Sequence, residues 1–212
     1  MIYLIGGSPR CGKTILAKKI AHDKKISCVS TDALRAAILN TVPKSQRQKK
    51  FPQEAMPTPP TKFRFDVYSP AAQLKAQLVE AETMWPGVMA FIKSLSNREQ
   101  QYVVEGVHLL PRLVNQLKKT SYWKDIKVVY LAKKDLAKII KDFPKNKDEY
   151  DWMLPTIQHD KARLRKAALM TQVKSQYFDR EAKKYHLKVF NTDSNFQKKL
   201  RQAQRYLIKS NN

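Results

Sequence analysis

The sequence has few cysteines, few acidic residues and no long apolar run, and each shortage excludes a class of protein. Its two cysteines, Cys11 and Cys28, cannot build a disulfide framework, and its four scattered histidines offer no zinc-ligand spacing. Without a run of about 18 apolar residues, the sequence predicts no membrane-spanning helix. The first residues lack the charged start and the length of a secretory signal, so we expect a cytoplasmic protein.

The charge of the chain is strongly one-sided. Against 18 Asp+Glu there are 41 Lys+Arg, which gives a net charge of +23 over 212 residues. Such an excess predicts anionic partners, either phosphorylated small molecules or nucleic acid. Hydrophobic residues make up 42% of the chain, close to the globular average, so a single domain with a buried core is expected over 1–212.

Glycine is also scarce, and three of the five glycines, Gly6, Gly7 and Gly12, lie close together near the start. The segment GSPRCGKT fits the phosphate-binding pattern G-x-x-x-x-G-K-[ST] at every fixed position. An apolar run at 2–5 precedes it and an amphipathic pattern at 15–21 follows it, which is the strand–loop–helix setting this motif requires. The residues of this predicted P-loop are Gly7, Ser8, Pro9, Arg10, Cys11, Gly12, Lys13 and Thr14.

The residue types of the P-loop predict how it binds a nucleotide. Its backbone N–H groups and the helix N-terminus are suited to hold the β-phosphate. Lys13 is expected to reach the β- and γ-phosphates, and Thr14 to offer its hydroxyl to Mg²⁺. Cys11 is interpreted as a spacer, although a thiol at a helix N-terminus can have a lowered pKa.

Short apolar runs alternate with longer helical patterns along the rest of the chain. That alternation predicts an α/β fold, a five-stranded parallel sheet with helices on both faces. The predicted strands are 2–5, 26–30, 101–105, 126–131 and 187–190. The predicted helices are 15–21, 33–39, 71–83, 87–95, 111–118, 133–142, 156–185 and 194–208.

Polar residues follow several predicted strands, at the edge of the sheet where parallel strands end and ligands bind. Thr14, Asp32, Glu105 and residues 191–193 are expected to share this edge. Asp32 is a candidate to accept a proton from a substrate hydroxyl or to orient it, or else to cap the following helix. Glu105 ends a buried strand, where an unpaired carboxylate is costly, so it either holds Mg²⁺ through water or pairs with a lysine.

Four segments, 6–14, 30–35, 104–111 and 190–193, resemble the nucleoside/nucleotide-kinase group of P-loop proteins. The resemblance is greatest to the 2-phosphoglycerate-kinase-like and zeta-toxin-like members. It implies an ATP- and Mg²⁺-dependent kinase that transfers the γ-phosphate to a hydroxyl or phosphate of a small, anionic metabolite or nucleotide. It also implies that Asn191, Thr192 and Asp193 border the adenine, whereas Glu105 replaces the aspartate that is usual at its position.

Two segments outside the strand–helix alternation are predicted to serve the phosphoryl acceptor. Residues 43–70 hold six of the eleven prolines and a basic cluster, and residues 143–155 form a polar loop. Long stretches without regular structure are either functional or disordered. We predict an acceptor-side insert at about 43–70, forming the acceptor pocket with Arg35, and a lid-like loop at about 143–155.

Several basic side chains are candidates to bind the acceptor or the transferring phosphate. Arg35 lies one helical turn after Asp32 and is suited to hold an acidic group, or else it is a solvated helix residue. His108 is a candidate substrate contact or a packed histidine. Arg163 and Arg165 follow the lid-like loop and are catalytic candidates, but at spacing two they face different ways, so at most one reaches the phosphates.

Two alternative functions are suggested by parts of the sequence. A GTPase is suggested by Asn146-Lys147-Asp148-Glu149, which imitates the guanine-binding N-K-x-D, but its last position is Glu and the chain has no D-x-x-G. A nucleic-acid-binding ATPase or polynucleotide 5′-kinase is suggested by the basic excess and by Lys62-Phe63-Arg64-Phe65, where aromatic and basic residues alternate. The first partner expected remains a small-molecule acceptor.

Overall fold

Five short segments form one parallel β-sheet in the computed structural model, which describes residues 1–145, 153–157 and 160–209. The sheet order is β2-β3-β1-β4-β5, and every neighbouring pair is parallel. The predicted fold class is therefore confirmed. The strands are β1 (Ile2–Gly7), β2 (Ser27–Ser30), β3 (Tyr102–Gly106), β4 (Ile126–Ala132) and β5 (Val189–Asn191).

Helices follow each strand and cover both faces of the sheet. Side chains alternate along central β1: Ile2 and Leu4 enter one core with side chains from helices in 70–97 and 161–184, while Tyr3 and Ile5 enter the other with side chains from helices in 13–24 and 196–208. The helices are α1 (Lys13–Lys24), α2 (Thr31–Thr41), α3 (Lys44–Lys50), α4 (Arg64–Val67), α5 (Pro70–Asn97), α6 (Pro111–Val114), α7 (Leu136–Asp142), α8 (Met153–Ile157), α9 (Lys161–Lys184) and α10 (Phe196–Ile208). Short 3-10 segments span Asn115–Lys119, Ser121–Asp125 and Phe143–Lys145.

The long helix α5 corrects the sequence prediction of two helices separated at Pro86. It runs unbroken over Pro70–Asn97 with Pro86 inside it. Its apolar face, including Met84, Val88 and Ile92, is buried against the sheet. Tertiary packing here outweighs the local cost of a proline, which removes a helical hydrogen bond. In the described parts of the chain, no helix combines the length and apolar character needed to span a bilayer.

The predicted insert at 43–70 is folded rather than structureless. It contains α3 and α4, and the rings of Phe51 and Phe65 are 0% and 4% exposed. Phe65 joins a small apolar cluster with side chains of α7, α8 and α9. Burial of these rings fixes the insert to the rest of the domain, so it is part of the core and not an appendage.

Candidate active site

Where β1 leads into the P-loop, its backbone passes close to the backbone of β4. Gly7 has φ +141°, and a Cβ there would lie 2.2 Å from the backbone oxygen of Leu131, so only glycine fits. The Lys13 Nζ donates to the backbone oxygen of Ser8 at 2.7 Å, which lays the lysine along the loop. The sequence motif thus forms the compact turn that its pattern predicts.

Three hydrogen bonds hold the P-loop in place, two to distant segments and one within the loop. The Ser8 hydroxyl lies 2.6 Å from the Ser175 hydroxyl of α9. The Thr192 hydroxyl donates to the backbone oxygen of Cys11 at 3.2 Å, and the Cys11 thiol donates to the backbone oxygen of Ser8 at 3.0 Å. Burial raises the pKa of Cys11, so the suggestion of a lowered pKa is wrong and its interpretation as a spacer is favoured.

Arg10 connects the P-loop to the start of the predicted lid-like loop. Its guanidinium donates to the backbone oxygen of Phe143 and lies 4.0 Å from the centroid of that ring. The 3-10 segment Phe143–Lys145 and α8 belong to the predicted lid-like loop 143–155 and are described. The residues between them, with the guanine-like motif at 146–149, lie outside the described residues.

Thr14 and Glu105, predicted from opposite halves of the chain, meet at the end of the sheet. The Thr14 hydroxyl donates to Glu105 Oε1 at 3.1 Å, and Glu105 is 6% exposed. A hydroxyl and a carboxylate are hard oxygen donors, which suit Mg²⁺ held partly through water. The donor set therefore fits the predicted metal, although the described residues contain no group of three or more metal-binding side chains.

The segment predicted to border the adenine is fixed beside the P-loop. Besides binding Cys11, the Thr192 hydroxyl lies 3.2 Å from the backbone oxygen of Ala132. Asp193 Oδ1 accepts from the backbone N–H groups of Lys134 and Asp135 at 2.8 and 2.9 Å. These two side chains thus join the ends of β4 and β5, and contact with adenine stays a prediction for them and for exposed Asn191.

Asp32 is not the cap of α2, because Ser30 takes that place. The Ser30 hydroxyl accepts from the backbone N–H groups of Asp32 and Ala33 at 3.0 and 3.3 Å. The Asp32 side chain is 73% exposed, and its Oδ1 lies 3.6 Å from His108 Nδ1. The carboxylate therefore faces the end of β3 rather than its own helix, as a role toward a substrate hydroxyl requires.

His108 is buried directly beside Asp32. Gly106, with φ +153°, makes room for the Thr31 hydroxyl, which a Cβ would meet at 1.8 Å, and that hydroxyl lies 3.0 Å from His108 Nδ1. Burial lowers the pKa of His108 to about 4, although the Asp32 charge acts in the opposite direction. The imidazole is thus neutral at pH 7, and its Nε2 has no partner among the described residues.

Arg35 forms an ion pair with a fully buried carboxylate. Its Nε lies 2.7 Å from Oε2 of Glu80, which is 0% exposed, and its Nη2 reaches Glu54 at 3.1 Å. The backbone N–H and side-chain amide of Gln53 also donate to Glu80, at 2.6 and 3.2 Å. Arg35 thereby fastens the insert to α5, and its predicted contact with the acceptor stays a prediction.

Arg163 is also engaged with the insert. Its Nε lies 3.1 Å from Asp66, its Nη2 donates to the backbone oxygen of Thr61 at 2.7 Å, and its guanidinium lies over Phe63. Arg165 is exposed on the same helix. These contacts are those of a residue that anchors the insert, and a role for either arginine at the transferring phosphate stays a prediction.

Sequence reasoning missed the cation of α9 that lies beside the P-loop, Lys174. It is 6% exposed and directly precedes Ser175, which contacts Ser8. At 1.5 Å per residue it lies about 16 Å along the helix from Arg163. Within the described part of the chain, no hydrogen bond or ion pair reaches its ammonium.

The charge of Asp32 acts on Lys174 as it does on His108. Burial lowers the pKa of Lys174 to about 8, the charges of Glu80 and Asp32 raise it, and those of Arg64 and Lys13 lower it further. A signal was present in the sequence, because Lys174 falls at helical spacing on the buried face of α9, between Thr171 and Phe178. A lysine on an apolar helix face marks a position where burial needs a reason.

The basic excess gathers in part at a separate groove between β5 and α10. The groove has a volume of about 520 Å³ and includes Lys188, Lys199, Arg205 and Lys209 in its lining. The proposed stacking segment 62–65 does not contribute a free platform, because its Phe65 ring is buried in the core and the Arg163 guanidinium lies over its Phe63 ring. The nucleic-acid alternative therefore loses one of the two features that suggested it.

Comparison with known proteins gives a fold. No protein-family model and no curated protein matches the chain. A shikimate kinase from Bacteroides thetaiotaomicron superposes with a TM-score of 0.51 at 13% identity, over 97% of this chain and 97% of that one. A gluconokinase from Sinorhizobium meliloti 1021 gives 0.47 at 14% identity, over 97% and 90%, and a dephospho-CoA kinase from Campylobacter jejuni gives 0.45 at 15%, over 97% and 96%. Identities this low indicate the fold and not the substrate. The chain has the P-loop kinase fold.

Proposed function

We propose that the protein is a kinase that transfers the γ-phosphate of ATP, with Mg²⁺, to a hydroxyl of a small anionic metabolite. The observation that carries this proposal is the juxtaposition of a P-loop with an exposed carboxylate, Asp32, at the same edge of the sheet. Ser30 caps α2, so Asp32 is left to act on a substrate. The finer assignment, a 2-phosphoglycerate-kinase-like or zeta-toxin-like protein, rests on the four sequence segments alone.

The chain offers a group for each requirement of phosphoryl transfer. The P-loop N–H groups and Lys13 hold the β- and γ-phosphates, and the 191–193 segment lies beside the loop where the adenine is expected. Thr14 and Glu105 are the residues that would hold Mg²⁺. When bound, this ion supplies neutralisation of the phosphate charge that grows as the leaving group departs.

Asp32 is assigned to the acceptor hydroxyl. The hydroxyl oxygen forms a bond to the γ-phosphorus, the bond from that phosphorus to the β–γ bridging oxygen breaks, and ADP leaves. Asp32 accepts or orients the hydroxyl proton. Lys13 is the cation beside the reacting phosphate, and Lys174 is the cation beside the acceptor. Both side chains are largely shielded from water, so solvent screens their charges less than it would at the surface.

Acceptor-dependent ADP formation from ATP–Mg²⁺ tests the proposal, with the Lys13→Ala variant as the blank. Removing the ammonium that compensates the phosphates is expected to lower turnover at least about 1000-fold, since phosphoryl transfer depends mainly on stabilisation of the phosphate charge. Lys24→Ala, an exposed change at the other end of α1, serves as the matched control and keeps full activity. A folded Lys13→Ala protein with wild-type turnover would sink the assignment of the P-loop.

The nucleic-acid alternative is not favoured by the site. The structure that superposes with a TM-score of 0.51, over 97% of both chains, is by its name a shikimate kinase and not a nucleic-acid-binding protein. ADP formation stimulated by 5′-hydroxyl oligonucleotides and by no small acceptor would reverse this preference. Binding to a duplex with a steep dependence on salt would show only an electrostatic footprint.

A further inference from the structure

One face of α5 carries polar side chains into the interior of the protein. Gln73, Gln77 and Glu80 follow the spacing of a single helix face, and their exposed fractions are 6%, 1% and 0%. Glu80 is fully engaged with Arg35 and the insert, as described above. Gln77 is only half engaged: its amide nitrogen donates to Val107 at 2.9 Å, while its Oε1 has no partner among the described residues.

Two further polar groups beside this face lack partners within the described residues. One is the Nε2 of His108, which follows Val107 in the chain. The other is the ammonium of Lys174 on α9, a residue that is 6% exposed and forms no side-chain hydrogen bond or ion pair with a described residue. The charge of Lys174 acts on His108, and the charge of Asp32 acts on both. An acceptor oxygen, an imidazole nitrogen and an ammonium therefore lie around one region next to the proposed base.

Polar groups buried without a partner are uncommon, because no hydrogen bond compensates for their loss of contact with water. Three of them in one region are best explained by a ligand that completes their hydrogen bonds. Gln77 Oε1 requires a donor, such as a hydroxyl. Neutral His108 pairs with a hydroxyl in either tautomer, and Lys174 requires an anion.

The charge balance of the region also favours an anion. Glu80 is balanced by Arg35, whereas Lys174 and Arg64 have no ion-pair partner among the described residues. The nearest polar contact that Arg64 makes is with Gln53 Oε1, at 3.5 Å. Two cations, Lys174 on α9 and Arg64 in the insert, are thus left without an ion-pair partner among the described residues.

We propose, on the basis of the kinase function above, that the acceptor is a small polyhydroxylated anion bound between α2, α5 and α9. Its carboxylate or phosphate binds Lys174 and Arg64, and its hydroxyls bind Gln77 Oε1 and His108 Nε2. The hydroxyl that remains near Asp32 receives the phosphate. A nucleoside is disfavoured, because it carries no anionic group for Lys174 and Arg64. In addition, two aromatic rings of the insert, Phe51 and Phe65, are buried in the core and are not free to stack on a base.

Matched acceptor pairs test the substrate class. D-gluconate is compared with D-glucitol, and both D-glycerate and 2-phosphoglycerate are compared with glycerol, with nucleosides as a separate arm. The expected result is a kcat/KM at least about 10-fold higher for the anion in a reactive pair, the scale of one charge-assisted hydrogen bond. The carboxylate and phosphate arms identify which anion the site takes.

Variants of α9 test the residue. Lys174→Met is expected to lower kcat/KM for the anionic acceptor about 10- to 100-fold. The kcat/KM for the neutral acceptor of the pair and the KM for ATP are expected to stay within about 3-fold of wild type, so the preference for the anion is lost. Lys174→Arg keeps the charge and restores most of the preference. Lys184→Met, an exposed change near the end of the same helix, is the matched control and has no effect.

Binding is measured beside turnover, by thermal-shift titration of the wild type and Lys174→Met with the same compounds in the presence of Mg²⁺ and a non-hydrolysable ATP analogue. An anion that stabilises the wild type but not Lys174→Met supports the acceptor site even if no ADP forms, and then the kinase proposal fails alone. Preference for a nucleoside or a neutral polyol overturns the inference and leaves the kinase standing. An equal loss of kcat for anionic and neutral acceptors in Lys174→Met also overturns the inference, because Lys174 would then act on the transferring phosphate. The absence of both binding and turnover for every anion overturns it as well.

Discussion

The nucleotide side and the acceptor side of the candidate site differ in how their polar groups are satisfied. On the nucleotide side, Lys13 bonds the backbone of its own loop and Thr14 bonds Glu105. On the acceptor side, Gln77 Oε1 and His108 Nε2 are buried without a partner among the described residues. The Lys174 ammonium, on a residue that is 6% exposed, also forms no hydrogen bond or ion pair with them. The polar groups of the nucleotide side are thus paired within the protein, whereas the acceptor side, assembled from two helices and the loop after β3, leaves groups for a ligand to complete.

The largest effect is expected where the two sides meet, at Asp32. Asp32→Asn keeps the shape of the side chain but removes its basicity, so kcat should fall about 100- to 10 000-fold, with the KM for ATP almost unchanged. Steady-state kinetics with the acceptor that supports turnover provide the measurement. Equal losses in turnover and in ATP affinity would assign Asp32 to the structure of the nucleotide side instead.

Two controls separate catalysis at Asp32 from helix stability. Ser30→Ala removes the cap of α2 and should cost about 1 kcal/mol in the free energy of unfolding while leaving turnover nearly intact. Glu99→Gln removes an exposed negative charge at the far end of the sheet and should change neither. If Asp32→Asn destabilises the protein as much as Ser30→Ala does, Asp32 contributes to capping after all.

A smaller effect is expected at Glu105, on the nucleotide side. Glu105→Gln retains an acceptor for the Thr14 hydroxyl but removes the charge, so the Mg²⁺ concentration for half-maximal activity should rise about 10-fold or more. The titration is made at saturating ATP, with the KM for the acceptor measured in parallel. An unchanged Mg²⁺ requirement would return Glu105 to a purely structural role.

An effect comparable to that at Glu105 is a pH dependence confined to the acceptor side. Lys174 is cationic below its pKa of about 8 and neutral above it, so kcat/KM for an anionic acceptor should be level below pH 8 and fall up to about 10-fold per unit above it. Glu80, Arg64, Asp32 and Lys13 are the charged groups that set this value. In Lys174→Arg the fall should disappear, since arginine stays charged; a wild-type profile level to pH 10 would contradict the assignment.

The sequence predicted best what contiguous residues build. The residues of the P-loop motif are contiguous and were recognised from their spacing alone, and the alternation of apolar runs with helical patterns was enough to predict five parallel strands. Asp32 was found because it follows a strand, but whether it caps α2 depended on the side chain of Ser30, which takes that place, and its catalytic role stays a prediction. Local spacing does not contain that information.

What sequence reasoning missed depends on distant contacts. Lys174 is one of many lysines in the chain. Its spacing on the buried face of α9 was a signal, but its position beside the P-loop depends on the packing of that helix. The two helices predicted around Pro86 are one, because burial of that face of α5 outweighs the missing hydrogen bond. Arg35 and Arg163 looked like free cations, but the folded insert brings Glu80 and Asp66 to them.

The most direct test of the account is to follow the γ-phosphate of ATP by ³¹P NMR in a mixture of wild-type protein, Mg²⁺ and the anionic polyols named above. The account predicts a new phosphate-ester signal that grows in a one-to-one ratio with ADP and is absent with Lys13→Ala. ADP accompanied only by inorganic phosphate, or an ester on a nucleoside alone, would contradict the central claim that the two sides form a kinase for a small polyhydroxylated anion.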